Sequence, residues 1–272
     1  MHNAAFEALG MDYLYMAFDV TPDYLAEALA GMKALGVVGL NVTIPHKPAV
    51  FRLVDQLSQS AMDVEAVNTI HLSNGLLVGH NTDIEGFSRS LSNAGIVISG
   101  KRVVLLGAGG AARSVAAGCI GSGASRVTIL NRSLEHARAL VQLLETSAVG
   151  KAVVECGKLE SGEETVRTAD ILVQCTSVGM SPRENEPPPI PIEWLAPPTA
   201  VFDLIYNPEE TELLKAARRK GMNTVNGEEM LVRQGAVAFE IWTGVAPPVD
   251  VMLAALRTAL RTALRTALQT RV

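Results

Sequence analysis

The sequence predicts an α/β protein with two lobes, one of them built on a parallel sheet. First, strand-like and helix-like segments alternate from Lys101 onwards, which is typical of parallel strands joined by crossover helices. Second, a strand, a glycine-rich turn and a helix follow one another over residues 103–116. Third, glycine contributes 23 of the 272 residues and aromatic residues only 4%, a balance that favours α/β proteins over β-sandwiches.

Charge and cysteine content exclude several classes of protein. The net charge is −5 and charged residues make up 19%, so we expect no nucleic-acid partner and a small-molecule substrate instead. The three cysteines, Cys119, Cys156 and Cys175, are an odd number without CxxC spacing. This pattern argues against a disulfide framework and against a zinc site, so we expect no bound metal.

Hydropathy and the first residues indicate a cytoplasmic protein. Mean hydropathy is positive, at +0.24, but no apolar run reaches the ~18 residues that a membrane-spanning helix needs. Residues 1–6 have neither the basic region nor the apolar core of a signal peptide. We therefore expect no membrane contact and a reducing, cytoplasmic location.

The first 95 residues contain short helices and strands. Thr21 and Pro22 are typical of a helix start, and Ser73-Asn74-Gly75 is typical of a hairpin turn. Apolar periodicity separates the remaining segments into helices and strands. We predict helices at 2–9, 22–36, 49–54 and 84–95, and strands at 13–20, 39–43, 69–72 and 76–78.

Two prolines fix the backbone in the segment Ile44-Pro45-His46-Lys47-Pro48. Proline locks its own φ and biases the preceding residue towards an extended conformation, so Lys47 lies on a stiff strand-to-helix corner. Taken alone, the same pattern also fits a loop whose lysine is solvated.

The second part of the chain alternates strands with helices. We predict strands at 102–106, 126–130, 152–155, 170–175, 200–205 and 223–225, and later helices at 228–242 and from 249 onwards. Residues 181–198 are rich in proline and predict an irregular loop. The last helix ends in three Arg-Thr-Ala-Leu repeats. Because a period of four exceeds the helical period of about 3.6, the leucines drift around the helix, and we expect its end to fray.

The turn after the strand at 102–106 matches the pattern G-x-G-x-x-A. Small residues there let the backbone approach a pyrophosphate at a helix N-terminus, as in Rossmann-like domains. A glycine triplet alone is weak evidence, but here it stands between a strand and a helix. The candidate cofactor-binding residues of this turn are Gly107, Ala108, Gly109, Gly110 and Ala111.

The end of the next strand indicates which dinucleotide is bound. NAD-binding domains usually place an acidic residue about 20 residues after the glycine turn, where it contacts the ribose. This chain has Asn131, Arg132 and Ser133 there. Because Arg132 would attract a 2′-phosphate and Ser133 would add a hydroxyl, we predict NADP. The alternative is an ordinary surface arginine beside a serine that caps a helix.

Eight motifs together identify a family. They occur in one order along nearly the whole chain: NVTIPHK, AVNT, NTD followed by glycine, GAGGAAR, NRS, TSVGM, DLIYNP and NGEEMLVRQGAVAFEIWTG. Each is modest evidence, but the ordered set is specific. The chain resembles the shikimate dehydrogenase family, the NADP-linked enzymes of aromatic amino-acid biosynthesis. The resemblance implies an oxidoreductase that reversibly reduces 3-dehydroshikimate to shikimate with hydride from NADPH.

The resemblance also implies a catalytic pair, Lys47 and Asp83. Reduction of a ketone needs a proton for the developing alkoxide, and a positioned ammonium both stabilises that charge and can donate the proton. Asp83 would orient Lys47 and accept a hydrogen bond from a substrate hydroxyl. Whether Lys47 carries the proton or acts chiefly as a binding and electrostatic group stays open, and Asp83 by itself also fits a helix N-cap.

Further site residues follow from the resemblance. Asn41 and Thr82 are expected to support the site, while Gly227 would let the nicotinamide approach the backbone beside Leu204. The residues expected to bind the substrate are Thr43, Asn68, Asp83, Tyr206 and Gln234.

Three departures from the family qualify these expectations. The family normally has a strand and a Ser-x-Ser turn just before the MHNAAF segment, and this chain starts at that Met, so we expect either a truncated form or a late start assignment. Cys175 stands where asparagine is common, and His136 stands where a basic residue often helps to hold the 2′-phosphate.

Several alternatives therefore stay open. They are a quinate/shikimate dehydrogenase paralogue that uses NAD, a catalytically impaired NADP-binding homologue, and a Rossmann-like binding module in which Lys47 and Asp83 never meet. An open sheet edge would also allow a homodimer. We expect a substrate domain at 1–83 plus 227–272, and a dinucleotide-binding domain at 84–226 with a Rossmann-like parallel sheet.

Overall fold

The computed structural model describes residues 1–147 and 149–269, with side chains described as far as Thr262. It confirms the predicted α/β class. The chain forms a six-stranded sheet whose neighbouring strands are all parallel, and a separate, mixed four-stranded sheet.

The first part of the chain builds the four-stranded sheet, in the order β1-β3-β4-β2. Its elements are α1 (His2–Ala8), α2 (Leu25–Ala34), β1 (Gly39–Asn41), α3 (Lys47–Val50), β2 (Gln56–Leu57), α4 (Gln59–Met62), β3 (Thr69–Ser73) and β4 (Leu76–His80). The predicted hairpin is confirmed, with positive φ values of 52° at Asn74 and 77° at Gly75 in the turn. The predicted helix at 22–36 instead begins with a 3₁₀ turn at Pro22–Tyr24, and Thr21 makes no side-chain cap.

The predicted strand at 13–20 is wrong. Residues 13–20 form no strand: among the described residues β1 pairs with β3 alone, and both β1 and this segment line a groove of about 640 Å³. A side chain holds the segment instead: the Asn3 carboxamide exchanges two hydrogen bonds with the Tyr15 backbone, at 2.7 and 3.0 Å. An apolar alternation predicts a strand only if a neighbouring strand is available to pair with it.

The second part builds the six-stranded sheet, in the order β10-β9-β8-β5-β6-β7. Its elements are α5 (Asp83–Asn93), β5 (Arg102–Leu106), α6 (Gly110–Gly121), β6 (Arg126–Asn131), α7 (Leu134–Thr146), β7 (Val153–Lys158), α8 (Glu163–Arg167), β8 (Ile171–Gln174), β9 (Ala200–Asp203), α9 (Glu212–Arg219) and β10 (Thr224–Val225). Strand order reverses at β5, which pairs with β6 on one side and β8 on the other. Ligands of open α/β sheets bind at such a reversal, beyond the carboxyl ends of the strands.

Two long helices bring the chain back to the first sheet. They are α10 (Glu228–Thr243) and α11 (Val249–Gln269). The indole of Trp242 on α10 donates a 2.9 Å hydrogen bond to the carbonyl of Ile70 in β3. Helix α11 runs to Gln269 and so includes all three Arg-Thr-Ala-Leu repeats, with side chains described as far as Thr262; the fraying that we predicted for the end of this helix stays a prediction.

Candidate active site

Lys47 and Asp83 meet in the structure. Lys47 is the first residue of α3 and Asp83 the first residue of α5, and the Lys47 Nζ atom lies 2.6 Å from Asp83 Oδ2. Both side chains are largely buried, with 22% and 11% exposed. The alternative in which these residues never meet is therefore wrong.

The carboxylate of Asp83 does not cap its helix. Thr82 occupies the N-cap position of α5 and makes no side-chain cap. Asp83 Oδ2 accepts from Lys47, while Oδ1 accepts a 2.8 Å hydrogen bond from Asn68 Nδ2. Each oxygen thus has one partner from a different element, and the nearby helix N-terminus also favours a negative charge there.

Asn68 donates a hydrogen bond to Asp83 and is itself held by the backbone of Thr82. It is only 2% exposed, and its Oδ1 accepts a 2.8 Å hydrogen bond from the backbone N–H of Thr82. A backbone N–H can only donate, so Oδ1 must face Thr82 and the amide Nδ2 must face Asp83. Much of the Asn68 carboxamide is therefore engaged with the protein itself.

Gln234 approaches the same place from α10. A Cβ atom on Gly86 of α5 would lie 2.8 Å from both the backbone nitrogen and the Cβ of Gln234, so α5 and α10 pack backbone to backbone here. The hydroxyl of Thr82 lies 3.5 Å from Gln234 Oε1. The structure thus gathers the predicted residues Lys47, Asn68, Thr82, Asp83 and Gln234.

Two predicted substrate-binding residues lie outside this group. Thr43 and Tyr206 are both exposed, and neither side chain joins the hydrogen bonds around Asp83. Thr43 belongs to the corner itself, where its carbonyl accepts a 2.9 Å hydrogen bond from the backbone N–H of His46. Tyr206 lies on the loop that follows β9.

The glycine turn between β5 and α6 has the shape that a pyrophosphate needs. Gly107 has φ of +109°, and a Cβ there would lie 2.8 Å from the Thr176 side chain, so this position requires glycine. Gly109 and Gly110 face open space at the start of α6, which no side chain caps. Ala108 and Ala111 beside them are partly buried. The free N–H groups of this helix end therefore point at an open, anion-binding position.

The end of β6 carries the cation that a 2′-phosphate would need. Arg132 is exposed and takes part in no ion pair within the described part of the chain. Its neighbours are ordered locally: Asn131 Nδ2 donates to the carbonyl of Ser133 at 2.9 Å, and Ser133 Oγ accepts from the N–H of His136 at 3.4 Å. Ser133 is thus the N-cap of α7, as the alternative for that residue held.

Gly227 faces the loop after β9. A Cβ on Gly227 would overlap the carbonyl oxygen of Leu204 and lie 3.1 Å from the carbonyl carbon of Ile205. The N–H of Gly227 also donates a 3.0 Å hydrogen bond to the Ile205 carbonyl. Gly227 therefore lets α10 begin directly against this loop.

Asp203 is a buried carboxylate next to the predicted residues Leu204 and Tyr206, and the sequence analysis did not single it out. It ends β9, is fully buried, and accepts hydrogen bonds from the Ile205 N–H at 3.0 Å and the Thr211 hydroxyl at 2.7 Å. Asp203 therefore connects the two ends of the loop that carries Leu204 and Tyr206. Burial raises the pKa of Asp203 to about 6, against which the Thr211 and Ile205 hydrogen bonds act. A lone carboxylate within the apolar run at 200–205 was the available signal.

The described residues contain no cluster of His, Cys, Asp and Glu suited to a metal ion. No helix among them is both long enough and apolar enough to cross a membrane. All three cysteines are free thiols.

Family models match three segments of the chain. They are the shikimate dehydrogenase substrate binding domain at residues 1–70, shikimate / quinate 5-dehydrogenase at residues 90–182, and the shikimate 5'-dehydrogenase C-terminal domain at residues 227–257. These segments contain the corner at Lys47, the glycine turn and Gly227.

Individual relatives agree with these models. A shikimate dehydrogenase (NADP(+)) from Methanopyrus kandleri is 46% identical over 257 residues, which cover 94% of this chain and 89% of the relative. A crystal structure of a shikimate dehydrogenase in complex with NADP+ matches with a TM-score of 0.88 at 41% identity, covering 95% of this chain and 89% of the other. Shikimate 5-dehydrogenase from Thermus thermophilus, in complex with NADP(H) and shikimate, matches with a TM-score of 0.85 at 34% identity, covering 95% and 92%.

Proposed function

Because the chain belongs to the shikimate dehydrogenase family, we propose that it reduces 3-dehydroshikimate to shikimate with NADPH and that Lys47 and Asp83 act on the reacting carbonyl. The protein is an NADP-linked oxidoreductase of aromatic amino-acid biosynthesis. The observation that carries the residue assignment is the 2.6 Å contact between Lys47 Nζ and Asp83 Oδ2.

Lys47 acts on the ketone oxygen of the substrate. Its ammonium group has three N–H donors, of which Asp83 takes one, so donors remain for the substrate. When bound, NADPH supplies the hydride that reduces the ketone carbon. Lys47 stabilises the negative charge that develops on the oxygen and is placed to give it a proton.

Asp83 holds this arrangement. Lys47 and Asn68 each occupy one of its oxygens, and every carboxylate oxygen can accept a second hydrogen bond. Asp83 is therefore able to accept from a substrate hydroxyl while it keeps Lys47 in place. Its side chain is 11% exposed, which leaves part of the carboxylate accessible to a ligand.

The other substrate contacts are short or planar polar groups suited to hydroxyls and a carboxylate. Gln234 and Asn68 border Asp83, and the exposed hydroxyls of Thr43 and Tyr206 are free to close on a ligand. We assign the substrate-binding role to Thr43, Asn68, Asp83, Tyr206 and Gln234.

The cofactor is NADP. The open start of α6 fits the pyrophosphate, and the exposed guanidinium of Arg132 fits the 2′-phosphate. The close approach of Gly227 to Leu204 supports placing the nicotinamide at the backbone where α10 meets the loop after β9. We assign cofactor binding to Gly107, Ala108, Gly109, Gly110, Ala111, Asn131, Arg132, Ser133, Leu204 and Gly227.

The domain division follows the two sheets. We assign residues 1–83 and 227–272 to the substrate domain, and residues 84–226 to the dinucleotide-binding domain. In support, the four-stranded sheet lies within 39–80, the six-stranded sheet lies within 102–225, and Trp242 of α10 bonds to β3 of the first sheet. The free cysteines are compatible with a cytoplasmic location.

A homodimer through the open edge is the assembly we assign. Within the described ranges the outer edge of β1 has no strand partner, and Leu14, Met16, Phe18 and Ile44 beside the groove are 58% to 83% exposed. Edge strands with exposed apolar side chains favour pairing with another chain. Light scattering over a dilution series would show a dimer, and Phe18→Lys should shift it to monomer; a monomer at every concentration rules this assembly out.

Steady-state kinetics with four substrate pairs test the function. We expect turnover of shikimate with NADP+ and at least about tenfold lower kcat/KM with NAD+, because only NADP+ engages Arg132. A preference for quinate, or for NAD+, would favour the paralogue alternative. NADP+ binding by calorimetry without turnover of either substrate would favour the catalytically impaired homologue.

A further inference from the structure

A continuous run of hydrogen bonds leads from the edge of the first sheet to Lys47. Five side chains and Asp83 take part, and we call this run the Tyr15–Lys47 chain. Its bonds are Tyr15 Oη to Asn41 Oδ1 at 3.0 Å, Asn41 Nδ2 to Thr69 Oγ1 at 3.3 Å, Thr69 Oγ1 to Asn68 Oδ1 at 3.0 Å, Asn68 Nδ2 to Asp83 Oδ1 at 2.8 Å, and Lys47 Nζ to Asp83 Oδ2 at 2.6 Å.

The direction of these bonds is fixed at Asn68. Its Oδ1 faces the backbone N–H of Thr82 and so carries no hydrogen, which means that the Thr69 hydroxyl must donate to it. Thr69 has one proton and has now used it, so Thr69 accepts from Asn41 Nδ2. Every group from Tyr15 to Asn68 therefore donates towards the carboxylate of Asp83.

Thr69 is the most deeply placed link between Asn41 and Asn68. It is fully buried in β3, the strand that lies between β1 and β4, and it pairs in register with Asn41 on one side and His80 on the other. Asn68 beside it is 2% exposed. At such burial a hydrogen bond is stronger than in water and a missing one is not replaced by solvent.

We propose that Thr69 is a positioning residue for the reaction: its hydroxyl orients the Asn68 carboxamide, which holds the Asp83 carboxylate and through it the Lys47 ammonium. The proposal rests on the proposed function, in which Lys47 and Asp83 act on the substrate. Without the Thr69 hydroxyl, Asn68 Oδ1 keeps the Thr82 donors, but the carboxamide loses the donor that fixes its plane from the β3 side.

Three variants separate positioning from stability. Thr69→Val keeps the shape and removes the hydroxyl, whereas Thr69→Ser keeps the hydroxyl and removes the methyl group. The matched control is Thr199→Val, because Thr199 is 2% exposed and donates a 2.7 Å hydrogen bond to the Ala169 carbonyl, away from Asp83. Each variant is assayed for kcat, for KM of shikimate and of NADP+, and for Tm.

We expect Thr69→Val to lower kcat about tenfold or more while KM for NADP+ stays within about twofold, because misplacement of catalytic groups acts on the chemical step. Thr69→Ser should recover most of kcat, and Thr199→Val should lower Tm without lowering kcat. If Thr69→Val does not fold, the kcat ratio of Thr69→Ala to Thr69→Ser gives the same comparison, because only Ala lacks the hydroxyl.

Two results would overturn the inference. One is a Thr69→Val enzyme with the kcat of the wild type; the other is a loss of kcat in Thr69→Ser as large as that in Thr69→Val. A Lys47→Ala arm distinguishes the failure of the inference from that of the proposed function. If Lys47→Ala is inactive and Thr69→Val is not impaired, only the inference fails; if Lys47→Ala is fully active, the proposed function fails as well.

Discussion

The backbone of Gly227 lies against the carbonyl oxygen of Leu204 with no room for a Cβ atom between them. This contact joins the start of α10 to the loop after β9, at the carboxyl edge of the six-stranded sheet. Gln234, to which we assign a substrate-binding role, lies on the same helix, so the contact also sets where Gln234 stands relative to the loop after β9.

Gly227→Ala adds only one methyl group, but we expect it to impair the enzyme strongly. The added methyl group must push α10 away from Leu204, so we expect kcat/KM for NADP+ to fall at least about tenfold, as for a small misplacement of reacting groups. Gly31→Ala is the control: Gly31 lies in α2 with nothing within 4 Å of an added Cβ, and the variant should be fully active and up to about 1 kcal/mol more stable. A fully active Gly227→Ala would contradict this expectation, because it would show that the loop can move aside without loss of kcat/KM.

Arg132→Ala tests the basis of cofactor choice. Loss of a charge-assisted contact to the 2′-phosphate should raise KM for NADP+ by about tenfold or more and leave KM for NAD+ unchanged. The control is Arg126→Ala at the other end of β6, where the arginine pairs with Glu155 instead. Equal effects on the two cofactors would place the 2′-phosphate elsewhere.

Asp203→Asn should change how stability depends on pH. The folded pKa of Asp203 is about 6, above its ordinary value of 3.8, so the folded state holds this proton more tightly than the unfolded state. The destabilising effect of the buried carboxylate is therefore absent well below pH 3.8 and grows as the pH rises towards and past 6. Relative to Asp203→Asn, the wild type should gain about 2 kcal/mol of unfolding free energy between pH 7.5 and pH 4.5.

Urea denaturation of both proteins at the two pH values measures this difference. Other titrating groups act alike in the two proteins, so they cancel in the comparison. Parallel pH profiles for the wild type and Asp203→Asn would mean that Asp203 ionises as freely in the folded protein as in the unfolded chain.

Arg257→Ala tests the attachment of the last helix. The Arg257 Nε atom lies 2.9 Å from Glu228 Oε2, and the Glu228 side chain is only 5% exposed, so the variant leaves a buried carboxylate without its partner. Since the arginine is half exposed, we expect a loss of about 1–2 kcal/mol in unfolding free energy by urea denaturation. Arg261→Ala, one repeat later and without an ion pair among the described residues, should lose almost nothing; equal losses would contradict the role of the pair.

Much of the six-stranded sheet could be predicted because its strands are apolar on both faces. Val103 to Leu106 and Ile171 to Val173 are almost fully buried, so each appears in the sequence as an uninterrupted apolar run. The glycine turn was equally visible, because its small residues are needed for backbone geometry. The shortest elements of the first part of the chain could not be predicted: strand β2 has two residues and helix α4 has four, too few for any periodicity.

The sequence analysis was wrong, or missed a residue, where tertiary contacts determine the structure. Residues 13–20 alternate like a strand, but pairing needs a neighbour that the groove beside β1 does not provide. Asp203 bonds to Thr211 eight residues further on, and Thr69 connects its neighbour Asn68 to Asn41, 28 residues earlier; no local pattern records such contacts. The meeting of Lys47 and Asp83, 36 residues apart, was foreseen only through the resemblance.

A double-mutant cycle on Lys47 and Asp83 tests the central claim most directly. Lys47→Ala, Asp83→Asn and the double variant are compared with Lys33→Ala and Asp55→Asn, a pair with the same kind of contact at 2.7 Å but about 40% exposed on the surface. We predict that each active-site variant lowers kcat about 100-fold or more, that the double variant is hardly worse than either single one, and that the surface variants keep full kcat. Near wild-type kcat in Lys47→Ala, or strictly multiplicative losses in the double variant, would contradict the account.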